Sequence, residues 1–476
     1  MHALQLASTG RNTTDHQARI DYLRKVIEGW FLGADFFSIK RENFQSWVAW
    51  AFLDEDLALL DKENRHQVDK LTKIIERACE HSFPPGNNPD LKCIRLTLDA
   101  VQATHRPLIY YIVCKSVNAL SHLLLRGIGF RLRELQRKHV PGSGKLTYLY
   151  RPAKEPMPEG ALPIVFIHGI GIGFAAYVPF LLCLPRNVPV YLLEWPHVSM
   201  QLTEEVPTIE ETMAFLVAML DTDQQEKATF VAHSLGTIAV AWMLRSESHR
   251  QRVGSVVLLD PVTFVLCDPT IAYNFLHRPP SNSLELIMQY FVSREMYIAN
   301  SLSRHFHWSK NILFYDNLPH PQDGLKHVVS LSGVDAIVPS PRVKLYLDTC
   351  AEMDGYRNPV DVIYHDEQNH GEMLFRLPFL RLIMERIREA CGSIPSQPPM
   401  SVSGEFQSPP QSFVNTPKSV KSSPPHNMKL RSHARRPAAS PSPVASVDAA
   451  APVVVTSTAT SRGRSNSKAP RLSVIA

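Results

Sequence analysis

The run Ala228-Thr-Phe-Val-Ala-His-Ser-Leu-Gly-Thr237 constrains this chain of 476 residues more than any other stretch. β-Branched and aromatic residues up to His233 read as a short strand, and a helical pattern begins just past the serine, so the chain has to turn at Ser234. A turn this sharp holds Ser234 in strained backbone angles, and the residues two before and two after it have to be small. Ala232 and Gly236 meet that demand.

From about residue 145 strand and helix patterns alternate, which indicates an α/β fold: a mostly parallel sheet with helices on both faces. Strands are expected at 146–151, 163–168, 188–193, 228–233, 255–260, 327–332 and 360–365. Helices are expected near 173–184, 209–221, 236–246, 341–353 and 373–390, the second opened by the capping box Thr208-Ile-Glu-Glu211. In an open sheet of this kind functional side chains gather at the carboxyl ends of the strands. Ser234 follows 228–233, Asp335 follows 327–332, and His370 lies five residues beyond 360–365.

A neutral serine hydroxyl is a poor nucleophile and requires a base, for which His370 is placed, with Asp335 to orient the imidazole and stabilise its charged form. Each has a rival. His365 in Tyr364-His-Asp-Glu-Gln-Asn-His-Gly371 ends the strand, whereas His370 lies on the loop that follows, which favours His370. Asp260 in Leu259-Asp-Pro261 also ends a strand, one strand nearer the serine.

With His168-Gly169-Ile170-Gly171 upstream and Ser332-Gly-Val-Asp-Ala-Ile-Val-Pro339 downstream, residues 145–392 resemble the α/β-hydrolase superfamily. Ala232 stands where that family usually has the first glycine of its nucleophile elbow. With its N-terminal helical region the chain more narrowly resembles the intracellular lipase-like and esterase-like hydrolases of fungi and algae. The resemblance implies an α/β-hydrolase fold and a Ser234, His370, Asp335 triad. It also implies an oxyanion hole of the Ile170 and Leu235 N–H groups, a loop shaped by His168, Gly169 and Gly171, and neither cofactor nor metal. The implied activity is cleavage of a carboxylic ester, of a small molecule or a lipid, through an acyl-enzyme. A non-hydrolytic reaction on the same residues is one alternative. A catalytically weak hydrolase fold acting as ligand-binding or membrane-associated scaffold is the other.

The insertion of about 65 residues between Asp260 and Asp335, about 262–326, stands where the family carries its lid. In it Leu284, Leu286, Ile287, Tyr290, Phe291, Met296, Tyr297, Ile298 and Leu302 either wall an apolar site or cover the sheet edge, and Arg304-His-Phe-His-Trp308 interleaves base and aromatic. Ile172, Phe174, Tyr177 and Phe180 are expected to add apolar character beside the oxyanion loop.

The first 140 residues read as a mostly helical extension packed on a catalytic domain of 141–392. A capping box at Thr14-Asp-His-Gln17 opens the first helix, others are expected near 42–54 and 63–80, and Cys93-Ile-Arg-Leu-Thr-Leu98 alternates like a strand. The stripe Phe44, Trp47, Val48, Trp50, Ala51 reads as core, with an acyl pocket as the alternative. Residues 107–125 are long enough to cross a bilayer but carry Lys115, Asn118 and His122 three and four apart, on one helical face. A helix packed on the domain is the favoured reading. A membrane-surface helix or a span are the others, with Arg126, Arg131, Arg133 and Arg137 able to meet phosphates.

Residues 393–476 are rich in Pro, Ser, Ala and Thr and read as a disordered tail. From 395 onward it holds ten Lys or Arg against Glu405 and Asp448, leaving the rest of the chain at −3, so nothing in the folded part points to nucleic acid. Ser408, Thr416, Ser423, Ser440 and Ser442 precede proline, and the basic cluster 429–436 is suited to anionic lipid or an import receptor. Seven scattered cysteines fit neither a disulfide framework nor a zinc site. Residues 1–10 lack the pattern of a secretory signal, which sets the expectation of an intracellular, cytoplasmic or peripheral membrane location and of an unused sequon at Asn12-Thr13-Thr14. The oligomeric state is not read from the sequence.

Overall fold

Eight strands organise the chain: β1 (Arg131–Glu134), β2 (Thr147–Arg151), β3 (Ile164–Ile167), β4 (Val190–Glu194), β5 (Ala228–His233), β6 (Val253–Leu259), β7 (His327–Ser332) and β8 (Val360–His365). They form one sheet in the order β1-β2-β4-β3-β5-β6-β7-β8 in this computed structural model. The structure describes residues 16–135, 146–320, 326–355, 357 and 360–393, apart from the side chain of Leu284. The Thr14 capping box, the Asn12 sequon, Arg137 and the chain beyond 393, with its Ser-Pro and Thr-Pro sites and basic cluster, lie outside the described residues.

β2 runs antiparallel to β1 and β4, and every other pairing is parallel. β3, β5, β6 and β7 are buried along their whole length, as a parallel sheet covered on both faces requires. The two faces separate by the strand period of two. Val165 and Ile167 belong to one hydrophobic cluster, Ile164 and Phe166 to the other. Helices cover both. The α/β-hydrolase fold expected from the sequence is the fold observed.

The helices are α1 (His16–Trp30), α2 (Arg41–Leu53), α3 (Lys62–Ala78), α4 (Leu108–Gly127), α5 (Val178–Leu182), α6 (Ile209–Thr222), α7 (Thr237–Arg245), α8 (Ser283–Met288), α9 (Met296–His305), α10 (Trp308–Asn311), α11 (Ser340–Met353) and α12 (Leu377–Ala390). α6, α7 and α11 supply side chains to the first cluster, and α5 and α12 to the second. The capping box of α6 forms as read, with Glu211 N–H donating to Thr208 Oγ1 and Thr208 N–H to Glu211.

The N-terminal helices share the first cluster. Trp30 meets Trp47 and Trp50 with ring centroids 5.8 and 5.6 Å apart, and its Nε1–H donates to the Cys267 carbonyl at 2.9 Å. The stripe Phe44, Trp47, Val48, Trp50, Ala51 is therefore core, and the acyl-pocket alternative is set aside. The strand expected at 93–98 does not form. Ile94 and Leu96 do bury while their neighbours stay partly exposed, but they pack on the N-terminal helices, and Ile94 N–H is taken by the carbonyl of Trp30. A strand the sequence reading missed, β1, is a short charged edge held against β2.

α4 packs on the protein through a mixed face. Tyr111, Cys114, Asn118, Ser121 and Leu125 are buried, and His122 Nε2 lies 3.1 Å from Glu194 Oε1 at the end of β4. Asn118 and His122 of the polar stripe thus turn toward the protein beside Tyr111, Cys114 and Leu125, while Lys115 and most of the apolar side chains face outward. By length and composition α4 is the one described helix able to cross a membrane.

The insertion after β6 folds as a short helical stretch Thr270–His277, then α8, α9, α10 and short helical turns between and after them. Its run 304–308 clamps the N-terminal region: Arg304 donates to the Asp99 carbonyl at 2.8 Å, and His307 Nε2–H to that of Trp50 at 2.8 Å.

Candidate active site

β5 ends at His233, and Ser234 adopts φ 51°, the left-handed strain its sequence context predicts. Two glycines permit that turn. A Cβ on Gly236 would fall 2.4 Å from the Ile167 carbonyl oxygen, and one on Gly169 would fall 2.8 Å from Ser234 Cβ. Gly171 carries no such constraint, since a Cβ there would meet nothing within 4 Å. Ala232 is fully buried in β5 between β3 and β6.

Three loops bring the remaining groups to Ser234. Its hydroxyl donates to His370 Nε2 at 2.8 Å, and His370 Nδ1–H donates to Asp335 Oδ2 at 2.6 Å. Asp335 is fixed from the other side, because its Oδ1 accepts the N–H groups of Ile337 and Val338 at 2.7 and 2.9 Å. Asn369 joins the two loops, its Oδ1 accepting the N–H of both Ala336 and His370. A carboxylate can only accept, so Nδ1 carries the imidazole proton and Nε2 presents its lone pair to the serine.

Burial alone would lower the His370 pKa, but the charge of Asp335, its hydrogen bond and the charge of Asp260 outweigh that and hold the imidazole above its ordinary value. Asp260, the rival acid, does not bond the ring. It is fully buried at φ 42°, and its oxygens accept from Ser332 N–H, Ser332 Oγ–H and Gly371 N–H. Burial, then repulsion from Asp335, push its carboxyl up to about 6 against the pull of His370. Asp260, Asp335 and His370 are also the one described cluster with metal-ligating atoms within 4.8 Å of one another, but those atoms are engaged in the hydrogen bonds just given.

The loop after β3 is pinned from both sides. Gly169 N–H donates to Tyr177 Oη at 2.9 Å, Tyr177 donates on to His233 Nδ1 at 2.8 Å, and Gly171 N–H donates to the Val198 carbonyl. Ile170 N–H, between them, has no acceptor among the described residues. Leu235 N–H lies in the first turn of a helix, where no intrahelical acceptor exists. His168 is fully buried, its Nδ1–H on the Gly169 carbonyl and its Nε2 accepting Trp195 N–H, and burial lowers its pKa.

His365 is elsewhere, packed on the ring of Phe379 with Nε2 3.1 Å from Ser330 Oγ. Phe174, Tyr177 and Phe180, expected beside the oxyanion loop as apolar lining, are buried beneath it in the second cluster, and only Ile172 stays partly open. In the insertion Ile298 and Leu302 are buried, whereas Leu286, Ile287, Tyr290 and Phe291 are exposed. A cavity of about 510 Å³ lined by Phe31, Asn43, Arg95, Asp99 and His277 lies between the N-terminal segments and the insertion and does not include Ser234. The sequence reading missed Tyr177 and His233 as a supporting pair. The signal was there, in a histidine next to the elbow serine and a tyrosine one short turn past the glycine loop.

No family model matches the sequence. No curated protein matches it. Among solved structures the chain is similar to a bacterial membrane phospholipase A described as a virulence factor, at 14% identity over 60% of this chain and 93% of that one, with a TM-score of 0.40. It is similar to the naproxen esterase (carboxylesterase NP) of Bacillus subtilis at 13% identity, 60% and 99% coverage and a TM-score of 0.39. A putative aryl esterase of Burkholderia cenocepacia matches at 15% identity, 53% and 97% coverage and a TM-score of 0.36. These three are bacterial, and the narrower resemblance to fungal and algal enzymes is not shown.

Proposed function

We propose that this chain is a serine hydrolase of carboxylic esters. The observation that carries the reading is the unbroken line Ser234 Oγ, His370 Nε2, His370 Nδ1, Asp335 Oδ2, set on a strained turn. In this reading Ser234 attacks the ester carbonyl as His370 takes its proton, and Asp335 stabilises the imidazolium. Ile170 and Leu235 N–H groups receive the oxyanion, each worth on the order of 10²–10³ in rate. His370 then protonates the departing alcohol, and afterwards draws a proton from the water that hydrolyses the acyl-enzyme.

The substrate class is an ester with an apolar acyl or aromatic part. Exposed Leu286, Ile287, Tyr290 and Phe291 give the insertion an apolar surface suited to meeting such a substrate, and that surface is the support for the choice. The test is turnover of p-nitrophenyl esters of rising acyl length by the full chain and by its His370→Ala variant. Turnover in the wild type that falls at least ~10³-fold in the variant supports the reading, and folded wild-type protein without turnover on any member of the series overturns it.

A further inference from the structure

We infer that α4, together with α8 and the turn after it, forms a docking face for the surface of an anionic phospholipid bilayer. Leu108, Ile109, Ile112, Leu120 and Leu123 are each more than half exposed. A helix that turns Asn118 and Ser121 inward and shows a contiguous row of large apolar side chains to water has an apolar face for something to cover. The surface continues into the insertion. Tyr110 stacks on Phe291 with centroids 6.0 Å apart and donates to its backbone carbonyl, and Leu286 and Ile287 are again more than half exposed.

Charge selects the occupant. α4 contains no Asp or Glu, its charged residues Lys115 and Arg126 are exposed, and Arg131 stands exposed just beyond it. Apolar side chains edged by cations complement acyl chains under anionic headgroups. A second copy of the chain fits less well, because α4 offers no acidic residue to a partner copy's Lys115 or Arg126, and Glu285 of α8 is already paired with Arg278 at 2.9 Å. A span is excluded while the helix stays docked, because Tyr111 Oη–H donates to buried Glu295 at 2.6 Å, and Asn118 presses on Gly173 of the oxyanion loop. The helix, about 30 Å long, then lies along the surface rather than across it.

The docked face of α4 touches the loop that carries Ile170, so a bilayer on its outer face would lie about one helix diameter from that loop. On the hydrolase reading, and resting on it, the substrates are esters drawn from the membrane. The binding itself is independent of that reading.

The experiment is flotation of the full chain with vesicles of phosphatidylcholine alone or mixed with phosphatidylserine, beside turnover of a water-soluble short-chain ester and a sedimentation measurement of mass. Wild-type protein is expected to float with the anionic vesicles and less so as salt rises. Ile112→Ser/Leu120→Ser/Leu123→Ser is expected to lower that partitioning by about tenfold or more, with short-chain turnover and melting temperature kept. Lys115→Glu/Arg126→Glu, which leaves the apolar face intact, is expected to remove the preference for anionic vesicles. The inference is overturned if wild-type protein stays in the soluble fraction, if the serine variant floats equally well, or if the wild type is a dimer that the serine variant dissociates. Flotation without turnover of any ester would leave the surface standing and remove the hydrolase reading.

Discussion

Asp260 Oδ2 accepts the N–H of Gly371 at 2.7 Å, so the carboxylate after β6 holds the residue next to His370 while Asp335 holds the imidazole itself. Two acids from adjacent strands thereby fix one histidine. One bonds the ring, and the other bonds the backbone and contributes charge.

That division predicts the pH behaviour. His370 must be neutral to take the serine proton, so kcat/KM falls as pH drops through its pKa, which lies above the ordinary value. The negative charge of Asp260 contributes to that elevation, so Asp260→Asn lowers the His370 pKa and moves the acid limb to lower pH. An acid limb that stays in place or moves up in the variant contradicts this assignment. The same change sets an amide among N–H donors from Ser332 and Gly371, at about 1–3 kcal/mol of stability.

Asp335→Asn acts differently, because it removes the acceptor that fixes the Nδ1–H tautomer. A fall in kcat on the order of 10³–10⁴ is expected, with KM little changed, measured on a soluble ester. A drop no larger than that of Asp260→Asn would exchange the two roles.

Two glycines of the motif separate by their surroundings. Gly236→Ala forces a Cβ against the Ile167 carbonyl and is expected to cost about 1–3 kcal/mol and most of the turnover. Gly171→Ala meets open space and is expected to change the melting temperature little. Thermal melts of the pair decide it, and equal losses would mean that the steric reading is wrong.

Tyr177→Phe removes a hydroxyl that both accepts from Gly169 and donates to His233, leaving two buried polar atoms unmatched. A loss of about 1–3 kcal/mol per unmatched group is the expected scale, together with slower turnover as the oxyanion loop loosens. Equilibrium unfolding in urea beside kcat would show both. A variant as stable as wild type would place those groups on solvent instead.

The sequence carried much of this arrangement, for physical reasons that differ by element. β5, β7 and β8 were readable to the residue, since β-branched runs bounded by turn residues leave little choice, and Ser234 followed from the small residues around it. Asp335 and His370 were readable as strand-end residues, while the part taken by Asp260 was not, because a backbone hydrogen bond to Gly371 leaves no trace in residue spacing. Residues 93–98 misled by alternating for a helix-packed surface rather than a sheet. α4 misled more instructively. Spacing identified its polar stripe but could not say that Asn118 and His122 would turn inward toward Gly173 and Glu194.

The central claim is that Ser234 is the nucleophile, and the direct measurement is labelling of the folded chain with a fluorophosphonate, followed by identification of the modified peptide. The account predicts one adduct on Ser234, absent from Ser234→Ala protein with an unchanged melting temperature. An adduct that persists in that variant, or folded wild-type protein that takes no label, would contradict it.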